Sequence, residues 1–244
     1  MLKSLLRPLI TCAGLLLLWQ IIIWFSHTPS YLLPPPERVL TRLWHSRSQL
    51  LHHSGITALE ILLSLFIGII LGLLTALVLQ YSRLLRQWFL PLMLISQAIP
   101  VYALGPILML WFGYGLLPKI IITVIIIYFP IATAAYDGLR HTPPHYLALG
   151  KTLNAGAIAA LIHIRLPAAL PAFASGIRVA AAIAPIGALI GEYVGGSAGL
   201  GYLIQYGINR SQTDLAFAAL FVITALTLII YYSIDFILKK FINW

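Results

Sequence analysis

The sequence is poor in charge. Asp, Glu, Lys and Arg make up 9% of its 244 residues against 61% hydrophobic, and mean hydropathy is +0.97. Ordinary soluble domains carry about 25% charged residues, so a water-soluble globule is excluded. Such a chain could not cover its surface with polar groups, whereas lipid asks only that backbone groups be paired internally. Cysteine occurs once, Cys12, inside the first apolar run, which excludes an internal disulfide and a cysteine-rich metal site. The 6 acidic residues are too scattered for the paired acids of an intramembrane enzyme. Histidines are present but do not converge. His141 and His145 stand four apart, yet Pro143 and Pro144 break the helix that would present both, and the adjacent His52 and His53 point different ways. No phosphate loop of the form G-x-x-x-x-G-K-[ST] occurs, because the glycine-rich stretch Gly191 to Gly201 lacks the lysine. It reads instead as a helix end and a tight turn. No metal and no cofactor are expected on this chain, and any ATP-driven work needs a nucleotide site on another chain.

What is present is apolar length. A span takes about 20 apolar residues, so these residues allow about six spans with short connections. The first run, about 9–25, reads as a retained anchor helix rather than a signal peptide, since no small-x-small cleavage site precedes His27. Pro34-Pro35-Pro36-Glu37 followed by Arg38, Arg42 and Arg47 among Val39, Leu40, Leu43 and Trp44 predicts a short amphipathic helix on the membrane surface. Further spans are expected at about 56–79, 88–112, 117–136, 168–194 and 215–238, the third bent or broken by Pro91, Pro100 and Pro106. The chain thus divides at 54/55 into an anchor with its amphipathic segment and a transmembrane domain.

Fifteen Lys and Arg against 6 acids give a net charge of +9. In a membrane chain this excess records topology rather than nucleic-acid binding. With the N-terminus inside, Lys3, Arg7, Arg83, Arg86, Arg140, Lys151, Arg165, Lys239 and Lys240 fall inside, and Arg38, Arg42, Arg47, Lys119 and Arg210 outside. Nine against five places both termini in the cytoplasm. Small residues recur at four-residue spacing: Ser64, Gly68, Gly72 and Ala76, then Ala168, Ala172, Gly176, Ala180, Ala184 and Ala188. Each stripe lets another backbone approach closely, either within the chain or at a homodimer seam.

The segment 137–165 is too polar to span and too apolar for a free loop. Pro143-Pro144 suits a helix start, Asn154-Ala155-Gly156 reads as a break, and a second short helix is expected to end at Leu166-Pro167. Two short helices at a corner would give a rigid knob for a soluble partner. Here the chain resembles the inner-membrane permeases of binding-protein-dependent ABC importers, whose signature is E-A-A, three residues, G, nine residues, I-x-L-P. Ile164-Arg165-Leu166-Pro167 matches its end, whereas Ala148, Leu149 and Gly150 stand for E-A-A and Asn154 for the glycine. Without the Glu, docking to an ATPase rests on shape, apolar packing and Lys151. The pieces Ser96-Gln97-Ala98-Ile99-Pro100, Trp111-Phe112-Gly113-Tyr114-Gly115 and Ala184-Pro185-Ile186-Gly187 are similar to the taurine, alkanesulfonate, nitrate and thiamine-precursor branch, most of all to hydroxymethylpyrimidine-type permeases.

The resemblance implies an all-α integral membrane protein, a type I ABC importer permease with a cytoplasmic coupling-helix segment between spans four and five. It implies ATPase subunits, a periplasmic binding protein, a second permease copy, membrane lipid, and residence in a bacterial inner membrane. The substrate it points to is a thiamine-precursor pyrimidine, with a sulfonate, taurine or nitrate-like anion as the alternative; a stand-alone secondary transporter is the alternative of another class. Polar groups inside spans are functional candidates by default, which singles out Ser96, Gln97, Tyr128, Arg178 and Glu192 for the translocation path, against interhelical hydrogen bonding. Glu60 and Asp235 read as snorkelling or interfacial groups near span ends.

Overall fold

The computed structural model describes residues 2–242, and the side chains of 2–9, Cys12 and Arg83 lie outside the described residues, as do the expectations placed on Lys3, Arg7, Cys12 and Arg83. Among the described residues all regular structure is helical. Helices pair their own backbone groups, which is what apolar runs in lipid require. The order is α1 (Leu2–Ser26), α2 (Pro36–His45), α3 (Arg47–Tyr81), α4 (Arg83–Ala98), α5 (Val101–Phe112), α6 (Leu116–Arg140), α7 (Pro144–Thr152), α8 (Ala157–Ala160), α9 (Leu166–Gly195), α10 (Leu200–Asn209) and α11 (Thr213–Phe241).

Among the described residues four helices are long and apolar enough to cross a membrane: α3, α6, the continuous Ala157–Gly195 and α11. The pair Leu84–Ala98 and Val101–Phe112, bent by 97°, is apolar enough only when taken together, as a broken span or a re-entrant loop, so four or five spans stand where about six were expected. Ile99 is extended at ψ 123 and Pro100 caps α5, because a residue before proline is pushed out of the helical region. The described apolar part of α1, Ala13–Ser26, is shorter than a span. It docks on α11 through Trp19, whose ring stacks on Phe217 at 5.4 Å. Proline opens α2 at its first turn, as expected. Val39 on α2 is buried against Leu200 and Leu215, and Arg42 Nη2 donates to Gln212 Oε1 at 2.7 Å, which ties this helix to the start of α11.

At the centre α6 lies between α3 and α9. Lipid gives helices no hydrophobic drive to associate, so close packing of small residues has to hold them. On one side Ser64, Gly68, Gly72 and Ala76 are buried, and a Cβ on Gly72 would lie 2.6 Å from Ile131 Cγ2 and 3.1 Å from the Ala132 nitrogen. On the other, Gly176, Ala180, Ala184 and Ala188 are buried, and a Cβ on Gly176 would lie 2.6 Å from Ala134 Cβ and 2.8 Å from the Pro130 carbonyl oxygen. The first stripe and the 176–188 part of the second therefore serve packing within the chain, while Ala168 and Ala172 are only half-buried.

Three features differ from the sequence expectations. The second short helix is not separate: α8, a π turn at Leu161–Arg165 and α9 form one helix. Pro167 lacks an N–H, but the wider π turn just before it accommodates the ring, and the chain continues instead of stopping. Residues 200–209, which fall between the expected fifth and sixth spans and begin in the stretch read as a tight turn, form α10. Finally, α3 starts at Arg47 and runs unbroken through 54/55.

Candidate functional site

At the end of the bundle that carries α7, the segment 144–167 places the signature-like residues together. Gly150 is buried under Ile164, where a Cβ would lie 2.6 Å from Ile164 Cδ1, so the two ends of the signature touch. Asn154 has φ 52, a left-handed conformation that glycine and asparagine adopt most readily. The residue standing where the signature has glycine thus adopts a turn that glycine also takes readily. Leu166 and Pro167 are half-buried, and Ala148, Leu149, Lys151 and Asn154 are exposed. A groove of about 410 Å³ opens between Pro143, Tyr146, Leu149, Ile164 and Pro167. Leu149, Leu153, Ile158 and Ile162 leave 58%, 73%, 67% and 50% of their surface uncovered. An apolar face of this kind is an interaction surface by its chemistry.

The intramembrane polar candidates do not converge on one point. Ser96 Oγ donates to the Met93 carbonyl at 2.7 Å, a bond within α4, and Gln97 is exposed on the same helix. Tyr128 on α6 donates to Thr75 Oγ1 on α3 at 2.8 Å. Arg178 on α9 pairs with Asp235 on α11 at 2.6 Å, and Asp235 also receives Lys239 at 2.7 Å. Asp235 thus joins Arg178 and Lys239 in a charge cluster near the end of α11.

Glu192 sits in a polar cluster at the opposite end. Here sequence reasoning missed most of the participants. Glu60 is fully buried rather than snorkelling, and its Oε1 accepts from Lys119 Nζ at 2.8 Å. Lys119, expected among the cations outside the membrane, is itself buried. An unpaired charge is too costly in this setting, and the pair forms for that reason. The cluster then takes hold of the backbone at 198–201 from three helices. Lys119 Nζ donates to the Ala198 carbonyl at 3.3 Å. The Gly199 N–H donates to His53 Nδ1 at 2.9 Å, the Leu200 N–H to Thr57 Oγ1 at 2.9 Å, and the Gly201 N–H to Glu192 Oε2 at 2.5 Å. Thr57 Oγ1 closes the network by donating to Glu192 Oε1 at 2.6 Å.

The free N–H groups that begin α10 are therefore capped by side chains of α3 and α9, with a carboxylate at the positive end of the helix. Gly199 has φ 113, and a Cβ there would strike the Glu192 carboxylate. Only glycine serves. One signal was legible: His53, Thr57, Glu60 and Ser64 follow 4-3-4 spacing on one face of an apolar helix. Their partners, Lys119 and the 198–201 backbone, carry no such mark. Among the described residues no group of three or more His, Cys, Asp or Glu could hold a metal ion.

Residues 68–243 match the family model described as "Binding-protein-dependent transport system inner membrane component". A probable ABC transporter permease protein of Haemophilus influenzae is 48% identical over 98% of this chain and 97% of its own length. The formylaminopyrimidine transport permease protein ThiX of Halalkalibacterium halodurans is 32% identical over 98% and 96%, and the riboflavin transport system permease protein RibX of Chloroflexus aurantiacus 32% over 96% and 88%. A chain of the MetNI methionine ABC transporter, solved in inward-facing conformations, superposes with a TM-score of 0.70 over 80% of this chain and 97% of that chain, at 20% identity. That likeness concerns the fold.

Proposed function

The chain belongs to the binding-protein-dependent transport system inner membrane component family, and from that premise we propose that it carries a thiamine-precursor pyrimidine across the bacterial inner membrane. It is a multi-pass permease subunit of an ABC importer, a transport component rather than an enzyme, and family membership brings ATPase and substrate-binding partners. The observation that carries the substrate is the 32% identity with a formylaminopyrimidine permease along 98% of this chain. Charge supports it. Among the described residues both intramembrane cations, Arg178 and Lys119, are paired with carboxylates, which leaves Ser96, Gln97 and Tyr128 as neutral hydrogen-bonding groups suited to a neutral heterocycle. A sulfonate or nitrate path would ask for an unpaired cation.

In this reading two copies of the chain form the path in lipid, with both termini and α7 on the cytoplasmic side and α2 and α10 on the periplasmic side. ATPase subunits dock on 144–167. The absent Glu at Ala148 is replaced by apolar contact through Leu149, Leu153 and Ile158, in a stretch whose charged groups, Arg140, Lys151 and Arg165, are all cations. No carboxylate occurs between residues 138 and 191, so the surface it fits is apolar with acidic groups at its rim. Because Ala157–Gly195 is one helix of 39 residues, movement at its docked end reaches Glu192 at the other. Coupling of distant sites needs such a shared rigid element between two states.

Vesicles holding the assembled transporter, its binding protein and ATP test the substrate. Labelled formylaminopyrimidine is expected to accumulate, with taurine and riboflavin left outside. Accumulation of either of those in its place would overturn the assignment.

A further inference from the structure

The cluster around Glu192 holds two carboxylates and one ammonium, all buried, which is one negative charge more than its cations balance. Glu60 is 1% exposed at its side chain and Lys119 7%, and Glu192 is fully buried. Lys119 satisfies Glu60 Oε1. The other oxygen, Glu60 Oε2, is buried, and no N–H or O–H among the described residues reaches it. The Glu192 carboxyl is the acid beside the Glu60 carboxyl, close enough for the two to share a hydrogen bond. Ionised carboxylates only accept, so two of them in contact repel; with one proton between them the same contact becomes a hydrogen bond.

The neighbours do not offer another remedy. His53 uses Nδ1 to accept from the Gly199 N–H, Thr57 donates its hydroxyl hydrogen to Glu192 Oε1, and Lys119 is shared between Glu60 and the Ala198 carbonyl. Tyr193 flanks Glu192 on α9 and brings no positive charge. We infer that Glu60 and Glu192 bind one proton between them, making a neutral set of one ammonium, one carboxylate and one carboxylic acid that clamps the start of α10. This site does not depend on which substrate the permease carries.

Infrared spectroscopy of the purified full-length chain in lipid nanodiscs at neutral pH reads this directly. Only 6 acidic residues are present; Glu37 and Asp137 are exposed, and Asp214 and Asp235 face Arg42 and Arg178. A protonated-carboxyl C=O band is expected in the native chain, lost in both Glu60→Gln and Glu192→Gln, and kept in Asp137→Asn. Each single Gln variant retains one carboxylate for Lys119 and melts near the native temperature, whereas the double variant melts clearly lower. Absence of the band from the native chain overturns the inference, and that reading survives even if a variant fails to fold. A rise in Tm in both single variants also overturns the inference, because that is the outcome expected if two ionised carboxylates were being relieved of repulsion.

Discussion

Glycine at 176 faces backbone, and glycine at 150 faces the tip of a side chain; the two positions respond differently to one added methyl. At 176 a Cβ meets the Pro130 carbonyl at 2.8 Å and Ala134 Cβ at 2.6 Å. Neither can move without displacing α6, so Gly176→Ala is expected to cost about 1–3 kcal/mol of overpacking. At 150 the obstacle is Ile164 Cδ1, a flexible end that can rotate away. Gly150→Ala is expected to be nearly neutral, and thermal unfolding of the two variants in one detergent compares them. The residue scale is also where the sequence misled. Glu60 lies in the outer half of an apolar run, and hydropathy alone cannot tell a charge that reaches the surface from one that meets Lys119, 59 positions on.

Helices were largely legible because hydrophobic periodicity, proline and capping are local. The start of α7 at Pro144 follows from Pro143-Pro144, and the break after it from Asn154 with φ 52. What escaped was continuity. Whether a chain stops at Pro167 depends on the π turn at Leu161–Arg165 just before it, and π turns have no simple sequence mark. α10 escaped for another reason: its first N–H groups are capped by His53, Thr57 and Glu192 from other helices rather than by a neighbouring Ser, Thr, Asp or Asn. At this scale the docking reading makes a further prediction. Leu149→Asp or Ile158→Asp places an unpaired carboxylate in an apolar contact, which costs about 2–5 kcal/mol. Copurification of the ATPase should fall by more than about tenfold while membrane insertion persists. Unchanged copurification would move the docking site elsewhere.

Across the whole molecule, a chain with 9% charged residues places most of its buried charge in one cluster, at the far end of the bundle from α7. The fold could be read from composition because lipid leaves few solutions for an apolar chain. The far cluster could not, because residues 53–60, 119 and 192–201 meet only once α3, α6 and α9 have packed. The helix Ala157–Gly195 joins the two ends, and the account turns on its carrying work from a partner that hydrolyses ATP. Uptake into proteoliposomes tests this most directly: the permease alone under an imposed ion gradient, compared with the permease, its ATPase and its binding protein supplied with ATP. Uptake only in the complete, ATP-fed system is the predicted result; uptake by the permease alone on an ion gradient would contradict it.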